Sequence, residues 1–136
     1  WVKRITVMFD GVSTNGTSTV QIQIGSGSFV TSGYLALVPT INVAGAVSNV
    51  SSITGFAFQG FAANTDKISG VANLVLISSN KWVITGMSFR SASTSLGGFI
   101  AANALELAGA LDRIRITTAN GTDTFDAGTI NILYEG

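Results

Sequence analysis

The stretch Val20-Gln21-Ile22-Gln23-Ile24 decides the fold. Apolar and amide side chains alternate strictly over five residues, a period of two that fits a strand with one face in a core and does not fit a helix. The same period recurs on both sides. Ile5, Val7 and Phe9 alternate with Arg4, Thr6 and Met8, and Phe56 and Phe58 alternate with Gly55 and Ala57. Trp82 and Ile84 alternate with Lys81 and Val83, Ile114 and Ile116 with Arg113, Arg115 and Thr117, and Ile130, Ile132 and Tyr134 with Asn131, Leu133 and Glu135. The rows Ile5/Val7/Phe9, Val20/Ile22/Ile24 and Ile130/Ile132/Tyr134 are expected in the core. Leu74-Val75-Leu76-Ile77 has no polar alternation and reads as a central strand covered on both faces. Short strands at this spacing, separated by turn residues, are the signature of a sandwich or barrel and predict an all-β chain, an antiparallel β-sandwich.

Turn chemistry punctuates these runs. Asn15-Gly16 and Asn120-Gly121 are expected to supply positive φ angles, and Ser78-Ser79-Asn80 reads as a short hairpin connection. The stretches from Gly25 to Ser28, from Gly45 to Ser52 and from Ser91 to Gly98 read as loops rich in Ser, Gly and Thr. Ala101 to Leu111 is the one stretch with helical composition. Gly109 within it, the missing cap and the direct run into the Arg113 strand favour an extended chain there. With 136 residues and no change of composition, residues 1–136 read as a single domain, able to bury roughly two thirds of its unfolded surface. A chain opening on Trp1 with no Met reads as a segment cut from a longer polypeptide. No apolar run approaches the roughly 18 residues of a membrane-spanning helix, so no membrane insertion is expected.

Composition narrows the chemistry. Seven basic and seven acidic residues give a formal net charge of +0, which leaves no electrostatic footprint for nucleic acid. Charged residues make up only 10% of the chain, so the surface is built from Ser, Thr, Asn, Gln and Gly. The absence of both His and Cys removes the commonest general base, the thiol nucleophiles and nearly all zinc sites. Asp10, Asp66, Glu106, Asp112, Asp123, Asp126 and Glu135 could in principle serve two-carboxylate chemistry, but no spacing pairs any two of them in a cleft. The chain is therefore read as a non-enzyme with no cofactor. Asn120-Gly-Thr-Asp123-Thr-Phe-Asp126 offers oxygen ligands for a hard cation, yet it lacks EF-hand spacing. Turn residues capping their own backbone amides account for it better, so no metal site is expected.

What remains is a binding vocabulary. Trp82 shares a face with Ile84 and belongs in the core. Tyr34 begins a strand at a loop edge and is expected to turn its ring and hydroxyl outward. Asn64, Thr65, Asp66 and Lys67 form a polar loop suited to hydrogen-bonding a glycan. Tyr34, Asn64, Asp66 and Lys67 are thus the candidate ligand-binding residues.

The opening run from Trp1 to Gly16, with Val20-Gln-Ile-Gln-Ile-Gly25 and Thr31-Ser-Gly-Tyr34, and the closing run from Gly109 to Glu135 resemble the C-terminal β-domain of tail-fibre and other virion appendage proteins of tailed bacteriophages and prophages. The central portion, about Leu35 to Leu107, does not match well. The resemblance implies a β-sandwich of jelly-roll type that forms the C-terminal segment of a longer virion protein. It further implies a homotrimer displayed at a fibre tip of the virion, contacting a host surface glycan or protein and other virion proteins, and it carries no catalytic residue. Two rival readings are a trimerisation or capsid-decoration module with no receptor role, and a carbohydrate-binding module of a secreted enzyme.

Overall fold

The structure, a computed structural model, describes residues 1–91 and 95–136, with side chains at all of these except 95–103. The described residues form eleven strands: β1 (Arg4–Thr14), β2 (Val20–Ser26), β3 (Ser28–Phe29), β4 (Ala36–Asn42), β5 (Val47–Ser52), β6 (Phe56–Gln59), β7 (Lys67–Ser78), β8 (Lys81–Ser91), β9 (Ser95–Glu106), β10 (Arg113–Thr118) and β11 (Phe125–Glu135). They divide into two antiparallel sheets. The large one has the order β11-β1-β7-β8-β9-β4-β5, and the small one the order β10-β2-β3, with β6 pairing β2 beside β3. The inner faces pack on each other, so the expected all-β sandwich is the observed architecture.

The period-two rows explain the core. Ile5, Val7 and Phe9 of β1 and Val20, Ile22 and Ile24 of β2 are buried, as are Trp82 and Ile84 of β8. Aromatic rings bridge the layers. Phe9 of the large sheet stacks on Phe58 of the small one at 4.2 Å between centroids, and Tyr34 meets Phe56 edge-on at 4.9 Å. Burying a side chain of this size contributes roughly 1.5–3 kcal/mol, and offset or edge-on ring pairs add about 0.5–1.5 kcal/mol. Near its end β1 slips register against both neighbours, between Asp10 and Ser13 opposite β11 and between Phe9 and Val12 opposite β7. Gly11 at φ +60° and Gly128 at φ +86° make this bulge possible, because a Cβ on Gly128 would overlap the backbone of Gly11 and Val12.

Several expectations are corrected. Gln21 and Gln23 are buried although they point away from the core. Gln21 Oε1 accepts from the hydroxyls of Ser52 and Thr54, and Gln23 Nε2 donates to the Thr54 carbonyl at 2.7 Å. A folded-over segment therefore seals the outer face of the small sheet. Leu74 is buried, but Ile77 is exposed: β7 is interior to its sheet, yet only the inner face of that sheet is covered. Ile130 and Ile132 are only half-buried and Tyr134 is exposed, because β11 is an edge strand and the opposing sheet is narrower. Val47 to Ser52, expected as loop, forms β5 by pairing with β4. Ser95 to Gly98, also expected as loop, belongs to β9, while residues 92–94 of that predicted loop lie outside the described residues. The extended chain expected after Ala101 is observed, strand running as far as Glu106, with cross-strand pairing overriding the helix propensity of its composition. The Ser79-Asn80 turn joins β7 to β8 as expected.

Candidate functional site

Antiparallel pairing sorts the connections into two poles. Arg4 pairs with Glu135, so Trp1 and Gly136 lie at one pole, together with the Ser79-Asn80 turn. At the other pole stand the β1–β2 loop (residues 15–19), the β4–β5 turn (43–46), the β6–β7 loop (60–66) and the β10–β11 loop (119–124). Sandwich loops are where side chains can be displayed without disturbing the core.

The β1–β2 and β10–β11 loops are laced together through Asp123. Its Oδ2 accepts the Ser18 amide at 2.9 Å, and its Oδ1 accepts the Asn120 side-chain amide at 2.7 Å. Asn120 Oδ1 in turn accepts from the backbone amides of Thr122 and Asp123, and Asn15 Oδ1 accepts from the Thr124 amide. Below this, the Ser13 hydroxyl donates to Asp126. The cluster is thus the self-capped turn read from the sequence. The Asn120 and Ser18 donors hold the Asp123 carboxyl below the usual carboxylate range, because both bonds favour the charged form. Gly121 adopts φ +70° as expected of its turn. Gly16 does not have a positive φ; its lack of a side chain instead makes room for the Asp123 carboxylate. Among the described residues no group of three or more acidic side chains is placed to hold a metal ion.

The β6–β7 loop begins close to Thr19 and has its own strut. Asp66 Oδ2 accepts the amides of Ala62 and Ala63 at 2.8 and 3.0 Å and lies 3.4 Å from Arg90 Nε. Arg90 also donates to the Gly60 carbonyl at 2.9 Å. Asp66 is buried, so it shapes the loop and is not a contact residue, contrary to the sequence reading. The reason is local: an acid four residues after Ala62 folds back onto the two free amides of a tight turn. Asn64, Thr65 and Lys67 are exposed on the loop this strut supports.

Tyr34 is the second correction. It is 0% exposed, and its hydroxyl accepts the Ile24 amide at 2.9 Å and donates toward the Val30 carbonyl at 3.1 Å. The phenol thereby fills backbone valences at Ile24 of β2 and at Val30 just after β3, and it is closed off from solvent. Burial pushes its pKa up, partly offset by the Ile24 bond and the nearby Arg115. Of the four residues read as binding, two are structural and two, Asn64 and Lys67, stand at the loop pole. The Asp123 lattice was missed as a site, since nothing in one sequence indicates that two turns 105 residues apart dock on each other.

Arg115, read as a strand-face cation, lies over the Phe29 ring at 4.3 Å and donates to Gln23 Oε1 at 2.6 Å. Its charge serves the small sheet. Three of the loops at this pole are thus polar and braced, carrying Asn15, Thr17, Asn64, Thr65, Lys67, Asn120 and Thr122 at their surface, while the β4–β5 turn beside them exposes Val43. Such a set can exchange hydrogen bonds with hydroxyls, amides and carbonyls. Compared with family models, with curated proteins and with solved structures, the chain finds no match.

Proposed function

We propose that this chain is a non-enzymatic display domain of a virion appendage, the tip of a bacteriophage tail fibre, which attaches to a host surface glycan or protein through the loop pole opposite its chain ends. The observation that carries the reading is how the carboxylates are used. Asp66 braces a loop, Asp112 holds Arg113 and the Gly27 amide, Asp123 and Asp126 join loops and strands, and Glu135 lies 3.7 Å from Arg4. Five of the seven acids are thus committed to building surface, in a chain that has neither His nor Cys to supply a base or nucleophile. A braced polar pole loses little conformational entropy when it binds, which favours recognition by hydrogen bonds. Location on the virion and assembly as a homotrimer belong to the same proposal. Several copies presented together would turn individually weak contacts into firm attachment.

The test is binding of the labelled chain to bacterial cells and to a glycan array, with competition against phage adsorption. Saturable binding that weakens when Asn64 and Lys67, or Asn120 and Thr122, are replaced by Ala is the expected result. Absence of binding to every cell and glycan, with no competition, rejects attachment. One observation favours the structural alternative, a trimerisation or capsid-decoration module: the outer face of the large sheet carries exposed apolar side chains. Under that reading the chain assembles with itself or other virion proteins, and loop-pole substitutions leave every interaction unchanged.

A further inference from the structure

We infer that the outer face of the large sheet is the surface through which copies of this chain associate; this names the interface for the homo-oligomer of the proposed reading and rests on it. The face is built by register. Met8 pairs with Val71, Val71 with Met87, and Ser69 with Phe89; across β9, Ile41 pairs with Gly97, and on the far edge with Val47. Because Ala72 and Leu74, Ile84 and Ser88, and Val38 and Thr40 point inward, the alternate positions point out. On them Val71 is 37% exposed, Met87 61%, Phe89 48%, Ile41 41% and Val47 64%.

Three observations select a second copy as the occupant. The first is area. On the two sides of β9 these side chains together expose on the order of 500 Å² of apolar surface. A standard interface buries about 800 Å² per partner, a little over half of it non-polar, so the patch supplies about what one side of a stable self-association needs. The second is charge. Outward positions 69–73, 83–89, 37–41 and 47–51 hold no ionisable side chain, and the formal net charge is +0, so identical faces meet without repulsion. The charged groups on this side flank those positions, Arg4, Glu135, Lys81 and Glu106 toward one end of the sheet and Asp10 and Lys67 toward the other, as polar rims do. The third is contrast. The outer face of the small sheet, which bears Gln21 and Gln23, is sealed by the chain's own Ser52–Thr54 segment and by Arg115. Among the described residues, none folds over the apolar outer face of the large sheet in the same way.

Light scattering on the purified chain tests this, since the monomer mass is 14.0 kDa. The expected result is two or three times that mass for the unaltered chain, falling toward the monomer value for Met87→Glu and for Val71→Lys with far-ultraviolet circular dichroism unchanged. A monomer at roughly 100 µM, or folded variants that keep the full mass, overturns the inference. Should either charged variant fail to fold, Met87→Cys decides, because the chain has no other thiol. Its alkylation must slow as protein concentration rises, relative to Ser79→Cys at the exposed turn; equal rates at every concentration overturn the proposal. Cell binding is measured separately on the same samples. Failure of the unaltered oligomer to attach, with the charged variants still losing mass, counts against the loop-pole reading alone, and variants that keep both full mass and attachment count against this face alone.

Discussion

Replacing Asp66 by Ala removes a single carboxylate from three partners at once. Two backbone amides, at Ala62 and Ala63, lose their acceptor, and Arg90, only 11% exposed at its side chain, loses its counter-charge. Breaking a buried ion pair from one side costs about 3–5 kcal/mol, mostly because the remaining charge stays desolvated. The bond from Arg90 to the Gly60 carbonyl survives and holds the cost toward the lower end. A loss of about 3 kcal/mol is a large share of the 5–15 kcal/mol typical of a domain and corresponds to a melting-point drop of roughly 10 °C. Asp66→Asn keeps an oxygen for the two amides and loses the charge, so about 1–2 kcal/mol is expected. Urea denaturation of Asp66→Ala, Asp66→Asn, Arg90→Met and the Asp66→Asn/Arg90→Met double variant closes a cycle in which the double costs less than the sum of the singles. A loss under 1 kcal/mol for Asp66→Ala, or strict additivity in the cycle, would show that Asp66 is not the strut of the β6–β7 loop.

Three further outcomes are expected. Gly128→Ala should destabilise by more than about 1 kcal/mol, because φ is +86° and the new Cβ meets the Gly11–Val12 backbone, whereas Gly33→Ala, at φ +83° in open space, should cost only about 1 kcal/mol; denaturation midpoints separate the two. Tyr34→Phe should cost about 1–3 kcal/mol by orphaning the Ile24 amide. Because the Tyr34 pKa is raised by burial, its contribution is complete below the usual tyrosine value near 10 and is lost as pH rises through its folded value; the variant should flatten that alkaline limb of a stability-pH curve. Asp112, lowered chiefly by its bond to Arg113, and Asp123, lowered chiefly by Asn120, act in the opposite sense: the stability they give is present above the usual carboxylate range and lost as pH falls through their lowered values, so Asp123→Asn should reduce the acid-side slope.

Much of the fold was legible locally. Alternation placed Ile5, Val7 and Phe9, Val20, Ile22 and Ile24, and Trp82 and Ile84 on inner faces, and all eight are buried. The loop pole was legible only in part. Asn64 and Lys67 stand exposed there, while Asp66 and Tyr34 read the same way in one dimension and turned out structural, since polarity does not reveal whether a group's partner is solvent or backbone.

By itself the sequence determined which side chains of the alternating strands β1, β2 and β8 face inward, because that direction follows from a period of two that each residue carries, while β5 and the start of β9 read as loop. It also set the limits of the chemistry, since a chain without His and Cys has few groups able to move protons or hold metal. Tertiary structure alone decided which faces are covered. Gln21 and Gln23 are sealed by a segment about thirty residues away, Ile77 and Met87 stay bare because the second sheet covers one side only, and Tyr134 is exposed because β11 ends its sheet. Burial depends on what lies opposite a residue, and that partner is set by strand order and loop docking, which local alternation does not encode.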